Sequence, residues 1–219
     1  MKPRLIGNAF RGLVGLIILG LVATFPGCRM NTEVVEADSP SRVLLQEEFT
    51  DNSNNWFVGT VLDLYHFEIV DGEYFLRSLS DSGIVAKKFI PIPEAGSFDL
   101  RVSLKLYKTD KDLGYGFCWG GSDLDNRYCF YISRDRKYTL FRRRSGEIHD
   151  YVAWTGDSRL NADVNALEIR RRGQSLKYLI NGKEVGTIAS ESFFGDQLYF
   201  AADGKQDVGI QSLLILVEQ

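Results

Sequence analysis

Histidine is scarce in this chain of 219 residues: only His66 and His149 occur, so a serine triad or a histidine-rich metal centre has few available parts. Proline is also sparse, at five residues, and the 21 glycines fall singly or in pairs without a period, which excludes a collagen-like chain. No apolar run after residue 28 approaches the ~20 residues of a membrane-spanning helix, so a polytopic membrane protein is excluded too. Long stretches of helical period are missing as well. Residues 189–194 could form a single helical turn, and parallel α/β architectures are therefore disfavoured. What is present is ordinary globular composition, 44% hydrophobic and 25% charged, enough for one sizeable core.

Residues 1–27 carry Lys2, Arg4 and Arg11 and no acid, followed by an apolar stretch over 13–25. That is the order of a secretory signal, and the stretch is too short for a comfortable membrane span. It ends in Ala23-Thr24-Phe25-Pro26-Gly27-Cys28, which resembles the lipobox of bacterial lipoproteins. Gly27 and Cys28 fit that motif, whereas Phe25 and Pro26 stand where it usually has an aliphatic and then a small residue. The resemblance implies that Cys28 is lipidated and anchors the chain in a bacterial cell envelope; plain cleavage or a retained anchor are the alternatives. Arg29 in place of an aspartate implies the outer membrane. Loss of residues 1–27 removes three of the 26 basic side chains and no acid, leaving a formal net charge of −6, which argues against a nucleic-acid partner. Residues 28–42 are polar and acidic and read as a tether to a domain over 43–219.

From residue 43 onward the pattern is β. Over 97–107, Phe98, Leu100, Val102, Leu104 and Leu106 alternate without a break with polar or charged residues, predicting a long strand with one buried face. Less clean alternation predicts strands around 73–79, 115–119, 128–133, 138–142, 165–170, 176–180 and 208–217. Asp71-Gly72, Asn181-Gly182 and Asp203-Gly204 accept the positive φ of tight hairpins, with Arg172-Gly173 a weaker case. About a dozen antiparallel strands in one domain must close into two packed sheets or a barrel. Arg142-Arg143-Arg144 and Arg170-Arg171-Arg172 alternate between faces, so neither run is one patch; solvated strand edges are expected, with an anionic glycan or phosphate as the other partner. Folding 115–119 back on 128–133 pairs Trp119 with Tyr128, Cys118 with Cys129 and Phe117 with Phe130. The two sulfurs then share a face, either as a cross-strand disulfide or as two small reduced side chains beneath a ligand groove.

The stretch 165–185 reads as a strand opening Asn165-Ala166-Leu167, a turn at Gly173, and a strand ending in Asn181-Gly182 before a short return. Together with segments 48–56, 71–74 and 114–121, it resembles the concanavalin A-like lectin/glucanase superfamily, in particular its laminin G-like and 3-keto-disaccharide-hydrolase-like members. The resemblance implies an all-β, two-sheet antiparallel jelly-roll sandwich over 43–219. It leaves activity open, because lectins, glycosidases and scaffolds share the fold.

Candidate site residues follow from side-chain chemistry. Retaining glycosidases need two carboxylates about 5–5.5 Å apart, and the Glu-x-Asp-then-Glu pattern of laminarinase-type relatives is absent. The acid pairs Asp71/Glu73, Asp110/Asp112 and Asp123/Asp125 fall at turns, so no catalytic residue is assigned, and Glu168 is the lone mid-strand acid for an enzyme. Asp123, Asp125 and Asn126 could hold calcium or sugar hydroxyls, or could simply form Asx turns in a solvated loop. Asp51 to Asn54 offers the same ambiguity. Tryptophan stacks on sugars but is more often core in a sandwich: Trp119 shares a face with Phe117 and Tyr115, which favours burial, while Trp154 sits at a loop mouth. The ligand-binding set is therefore Trp154, Trp119, Asp123, Asp125, Asn126 and Tyr131, with Asp123 and Asp125 as the candidate calcium ligands. The expected function is an envelope-tethered module that binds a glycan or polysaccharide, or a structural one. A hydrolase of 3-keto-disaccharide or glucanase type and a non-glycan protein-interaction module are the alternatives.

Overall fold

The computed structural model describes residues 41–218; the signal segment, Cys28 and residues 28–40 of the tether lie outside the described residues. Fifteen strands and no helix are found among the described residues. A nine-stranded sheet is ordered β13 (Lys183–Ala189), β12 (Ser175–Ile180), β11 (Val164–Arg172), β6 (Phe98–Thr109), β15 (Gln206–Glu218), β4 (Glu73–Ser78), β3 (Tyr65–Val70) and β2 (Gly59–Val61). β1 (Ser41–Glu47) joins β4 along the free edge of β15. A six-stranded sheet is ordered β10 (Glu147–Gly156), β9 (Lys137–Arg144), β8 (Arg127–Ser133), β7 (Gly114–Gly121), β14 (Gln197–Ala202) and β5 (Ile84–Phe89). Every pairing is antiparallel, and the two sheets face one another as a jelly-roll sandwich.

The core lies between the sheets and follows the period-2 pattern. Phe98, Leu100, Val102 and Leu104 of β6 are fully buried, and so are Leu167 and Ile169 of β11 and Leu213 and Ile215 of β15 beside them. From the other sheet, Phe117, Phe130, Leu140 and Phe200 meet them. One end is closed by Phe49 and Trp56, which pack on Tyr74 and Phe200. The Trp56 indole donates to the Glu47 carboxylate at 2.6 Å. Segment 51–54 is a self-contained turn: Asn52 Oδ1 accepts from the Trp56 amide, and Asp51 Oδ1 accepts from the Ser53 amide.

Three expectations are corrected. β1 opens at Ser41, ahead of the boundary at 43, because Ser41 and Arg42 already stand opposite Glu218 and Val217 in the ladder. Residues 189–194 form no helical turn: Ala189 closes β13, and Phe194 and Gly195 donate to the Gly120 carbonyl, which draws Phe193 over Gly120. Asp203-Gly204 is not a hairpin, since β14 and β15 belong to different sheets and the turn carries the chain from one layer to the other. Asp71-Gly72 and Asn181-Gly182, with both residues at positive φ, are hairpin turns as expected.

Candidate functional site

The outer face of the six-stranded sheet carries a groove of ≈ 260 Å³. Beside it runs β7, whose inward positions are Tyr115, Phe117 and Trp119 while its outward positions are Gly114, Gly116 and Cys118. With almost no side chains on that strip, neighbouring groups lean over it. A Cβ at Gly114 would lie 2.9 Å from an Asp203 carboxylate oxygen, 2.9 Å from the Tyr131 ring and 3.2 Å from the Trp154 ring. At Gly116 it would meet the Phe130 carbonyl and the Tyr131 ring. On the same face Cys118 and Cys129 join as a disulfide, in the register expected from sequence, and the Tyr131 hydroxyl lies 3.7 Å from Cys118 Sγ.

The walls come from β8, β9 and β10 and from the turn after β14. Tyr131 of β8 and Phe141 of β9 pack edge to face at 5.4 Å. Trp154 reaches the groove through a bulge in β10: Val152 opposes Leu140 and Thr155 opposes Tyr138, so Ala153 and Trp154 share the single partner Thr139. The extra residue re-aims the indole. Thr139 donates its hydroxyl to the Val152 carbonyl at 2.8 Å, which pins the bulge. Trp154 remains 46% exposed, while Tyr131 is 4% exposed, so the first offers a ring face to ligand and the second a supporting edge.

The polar groups lie at two ends. At one, Asp203 stands beside Tyr131. Burial pushes the Tyr131 hydroxyl well above its usual range and Asp203 adds to that, so Tyr131 stays a neutral donor. The protein crowding Asp203 raises its carboxyl as well, opposed by the charges of Arg143 and Arg127. At the other end Arg127 and Arg143 are direct cross-strand partners. Arg127 is only 7% exposed and lies over the Tyr199 ring, 5.4 Å from its centroid. Neither Nε nor Nη1 of Arg127 has a protein acceptor among the described residues, nor does Nε of Arg143.

Two of the expected ligand-binding residues, Trp154 and Tyr131, are brought together here. Trp119 is not: it points into the core, 1% exposed and stacked on Tyr128. Asp123, Asp125 and Asn126 do not line the groove. Asp123 accepts from the Asp125 amide and from the Asn126 side chain, the bond that does most to hold its carboxyl below the usual range. Asn126 in turn accepts from the Ser145 amide and latches this loop to the β9–β10 turn. These are Asx turns, and no group of three His, Cys, Asp or Glu side chains suited to a metal occurs among the described residues. Glu168 belongs to the opposite side of the molecule, 2% exposed and held by Arg101 at 2.9 Å and Arg170 at 2.6 Å. A carboxylate so occupied is a structural ion, not a free acid. Arg127, Arg143, Asp150 and Asp203 are groove residues that sequence reasoning did not select.

No protein-family model and no curated protein matches the sequence. Solved structures match the fold. A carbohydrate esterase from the Shiga toxin-encoding bacteriophage phi24B superposes with TM-score 0.58 at 14% identity, covering 82% of this chain and 100% of its own. The CBM2 module of the Lactobacillus casei BL23 phage J-1 evolved Dit gives 0.56 at 8% identity, over 84% and 99%. The endo-β-1,3-glucanase of Pyrococcus furiosus gives 0.57 at 10% identity, over 83% and 96%. The likeness is one of fold, the two-sheet antiparallel jelly roll expected from the sequence.

Proposed function

We propose that this protein is a carbohydrate-binding module, held at a bacterial cell envelope by a lipid on Cys28. The observation that carries the binding reading is the groove itself, where an exposed Trp154 stands with the buried rings of Tyr131 and Phe141 among charged side chains. A sugar presents an apolar ring face and a rim of hydroxyls, and the groove offers an aromatic face beside the carboxylates of Asp150 and Asp203. Its mixture of aromatic rings and charged groups in one small groove favours a glycan over the broad apolar or charged patch that a protein-interaction module calls for. The fold shared with the CBM2 module supports the same reading. The anchor rests on the apolar run and the Gly27-Cys28 pair.

A glycan array probed with the full chain in detergent tests binding, and Trp154→Ala should weaken any hit by roughly 1–3 kcal/mol through lost stacking. Wild-type affinity in that variant rejects the site. Fatty-acid-analogue labelling that is unchanged in Cys28→Ser rejects the anchor.

One observation favours a second reading, a glycoside hydrolase: the raised carboxyl of Asp203 is the state a general acid requires. Reducing-end release from the array hits, lost in Asp203→Asn, would establish hydrolysis; binding without release retains the module.

A further inference from the structure

From the arginine pair we infer that the groove is built for an acidic sugar, whose carboxylate or sulfate is held by Arg127 and Arg143. This rests on the glycan reading of the groove and names the ligand class.

Most arginines with a buried donor have a carboxylate partner or an aromatic ring to lie on, and Arg171, with Nη1 unsatisfied over the Phe193 ring, is the nearest parallel to Arg127 among the described residues. Arg77, Arg101, Arg134, Arg142, Arg159, Arg170 and Arg172 each meet a carboxylate. Arg127 does not, although it is the most deeply buried arginine, and its Nε and Nη1 are shut away from water without a protein acceptor among the described residues. A buried, unsatisfied guanidinium is costly to a fold. Placing a second arginine directly across the ladder, with its own Nε unsatisfied, adds repulsion between like charges. Both costs are removed by one anion bridging the two guanidinium groups, whose planar forks match carboxylate and sulfate oxygens.

The acids of the groove do not perform that role. Neither Asp150 nor Asp203 makes an ion pair with Arg127 or Arg143, and the charge of Asp203 is discouraged by its surroundings. The Arg127 guanidinium instead packs on the Tyr199 ring, 5.4 Å from its centroid. Arg127 and Arg143 line the same groove as Trp154. A volume of ≈ 260 Å³, just below the ~300–1,000 Å³ of drug-sized sites, suits one substituted sugar ring or a chain end.

The test is calorimetric titration of the full chain in detergent with four probes: an oligogalacturonate, a sulfated galactan oligosaccharide, the neutral galactan oligosaccharide, and sodium sulfate alone. Binding of the uronate or the sulfated chain at least tenfold tighter than the neutral one supports the proposal and identifies which anion is read. Arg127→Met should reduce that affinity at least tenfold without lowering the melting temperature. Arg143→Gln provides the same readout should Arg127→Met fail to fold. Equal binding of neutral and acidic chains overturns the acidic-sugar assignment and leaves the glycan reading standing. Sulfate alone binding as tightly as any sugar, or no probe binding at all, overturns both.

Discussion

The two sheets expose outer faces of opposite character. On the nine-stranded sheet the charges answer one another: Arg101 and Arg170 hold Glu168, and Arg172 reaches Asp99 at 2.7 Å and Glu218 at 3.1 Å. Along β6 and the middle of β11, buried apolar residues alternate with these outward charges. On the six-stranded sheet the outward residues of the central strands are glycine, a disulfide, aromatics and two arginines with unsatisfied donors. The first face pairs these charges with one another, whereas the second leaves donors of Arg127 and Arg143 without a protein acceptor among the described residues. Unmet hydrogen-bonding capacity marks a site more sharply than charge, since both faces are charged.

The shared layer sets the scale for breaking this contrast. Leu104→Ala, in the core between the sheets, should cost about 2–5 kcal/mol by urea denaturation. Severing the disulfide comes next: replacing Cys118 and Cys129 together by serine should cost about 2–3 kcal/mol, since the bond closes a separation of only 11 residues. Mass spectrometry of the non-reduced protein should find the two cysteines in one linked peptide pair; freely alkylated thiols would remove the bond. Glu168→Gln should cost about 1–2 kcal/mol, because the arginine ends it holds reach water, and should leave glycan binding untouched. A change in binding there would mean that the two faces are not independent.

The smallest effect is a tilt with pH. Because the carboxyl of Asp203 is raised, the folded protein holds that proton more tightly than the unfolded chain. Its contribution to stability is complete below the ordinary value of 3.8 and is lost as pH rises through the folded value. Asp203→Asn should therefore leave the melting temperature unchanged at acid pH and raise it at neutral pH, as followed by circular dichroism. A drop at neutral pH would show that Asp203 is paired.

The sandwich was legible wherever one strand face is buried and the other solvated. β6 is the clearest example, and the Cys118–Cys129 register followed from folding one apolar run on its neighbour. β10 was not legible: it is an edge strand with little burial on either face, and its bulge breaks the alternation. β14 is buried nearly throughout, so it too lacks a period. The Asn165 and Asn181 pattern is explained by structure alone, for Asn181 donates to the Arg159 carbonyl and to Asn165 Oδ1. Of the candidate groove, sequence chemistry selected Trp154 and Tyr131, and the alternate glycines of β7 were the available signal that side chains pack close over that strip. The same fold-back that joined the cysteines sets Tyr131 opposite Gly116. Arg143 was passed over within a run of three arginines, because which of them faces the groove depends on the β8–β9 register, and no turn dipeptide sets that register.

The pairing of β1 with the end of β15 has a consequence for engineering. Ser41 stands directly opposite Glu218, so the two ends of the described chain lie one ladder spacing apart, about 5 Å. A short loop could join them, and the exposed turn at Gly173, where an added Cβ meets nothing within 4 Å, could become the new pair of ends. Such a circular permutant would retain every sheet contact. For the same reason, the domain could be spliced as a cassette into a surface loop of a host protein without prising the host apart.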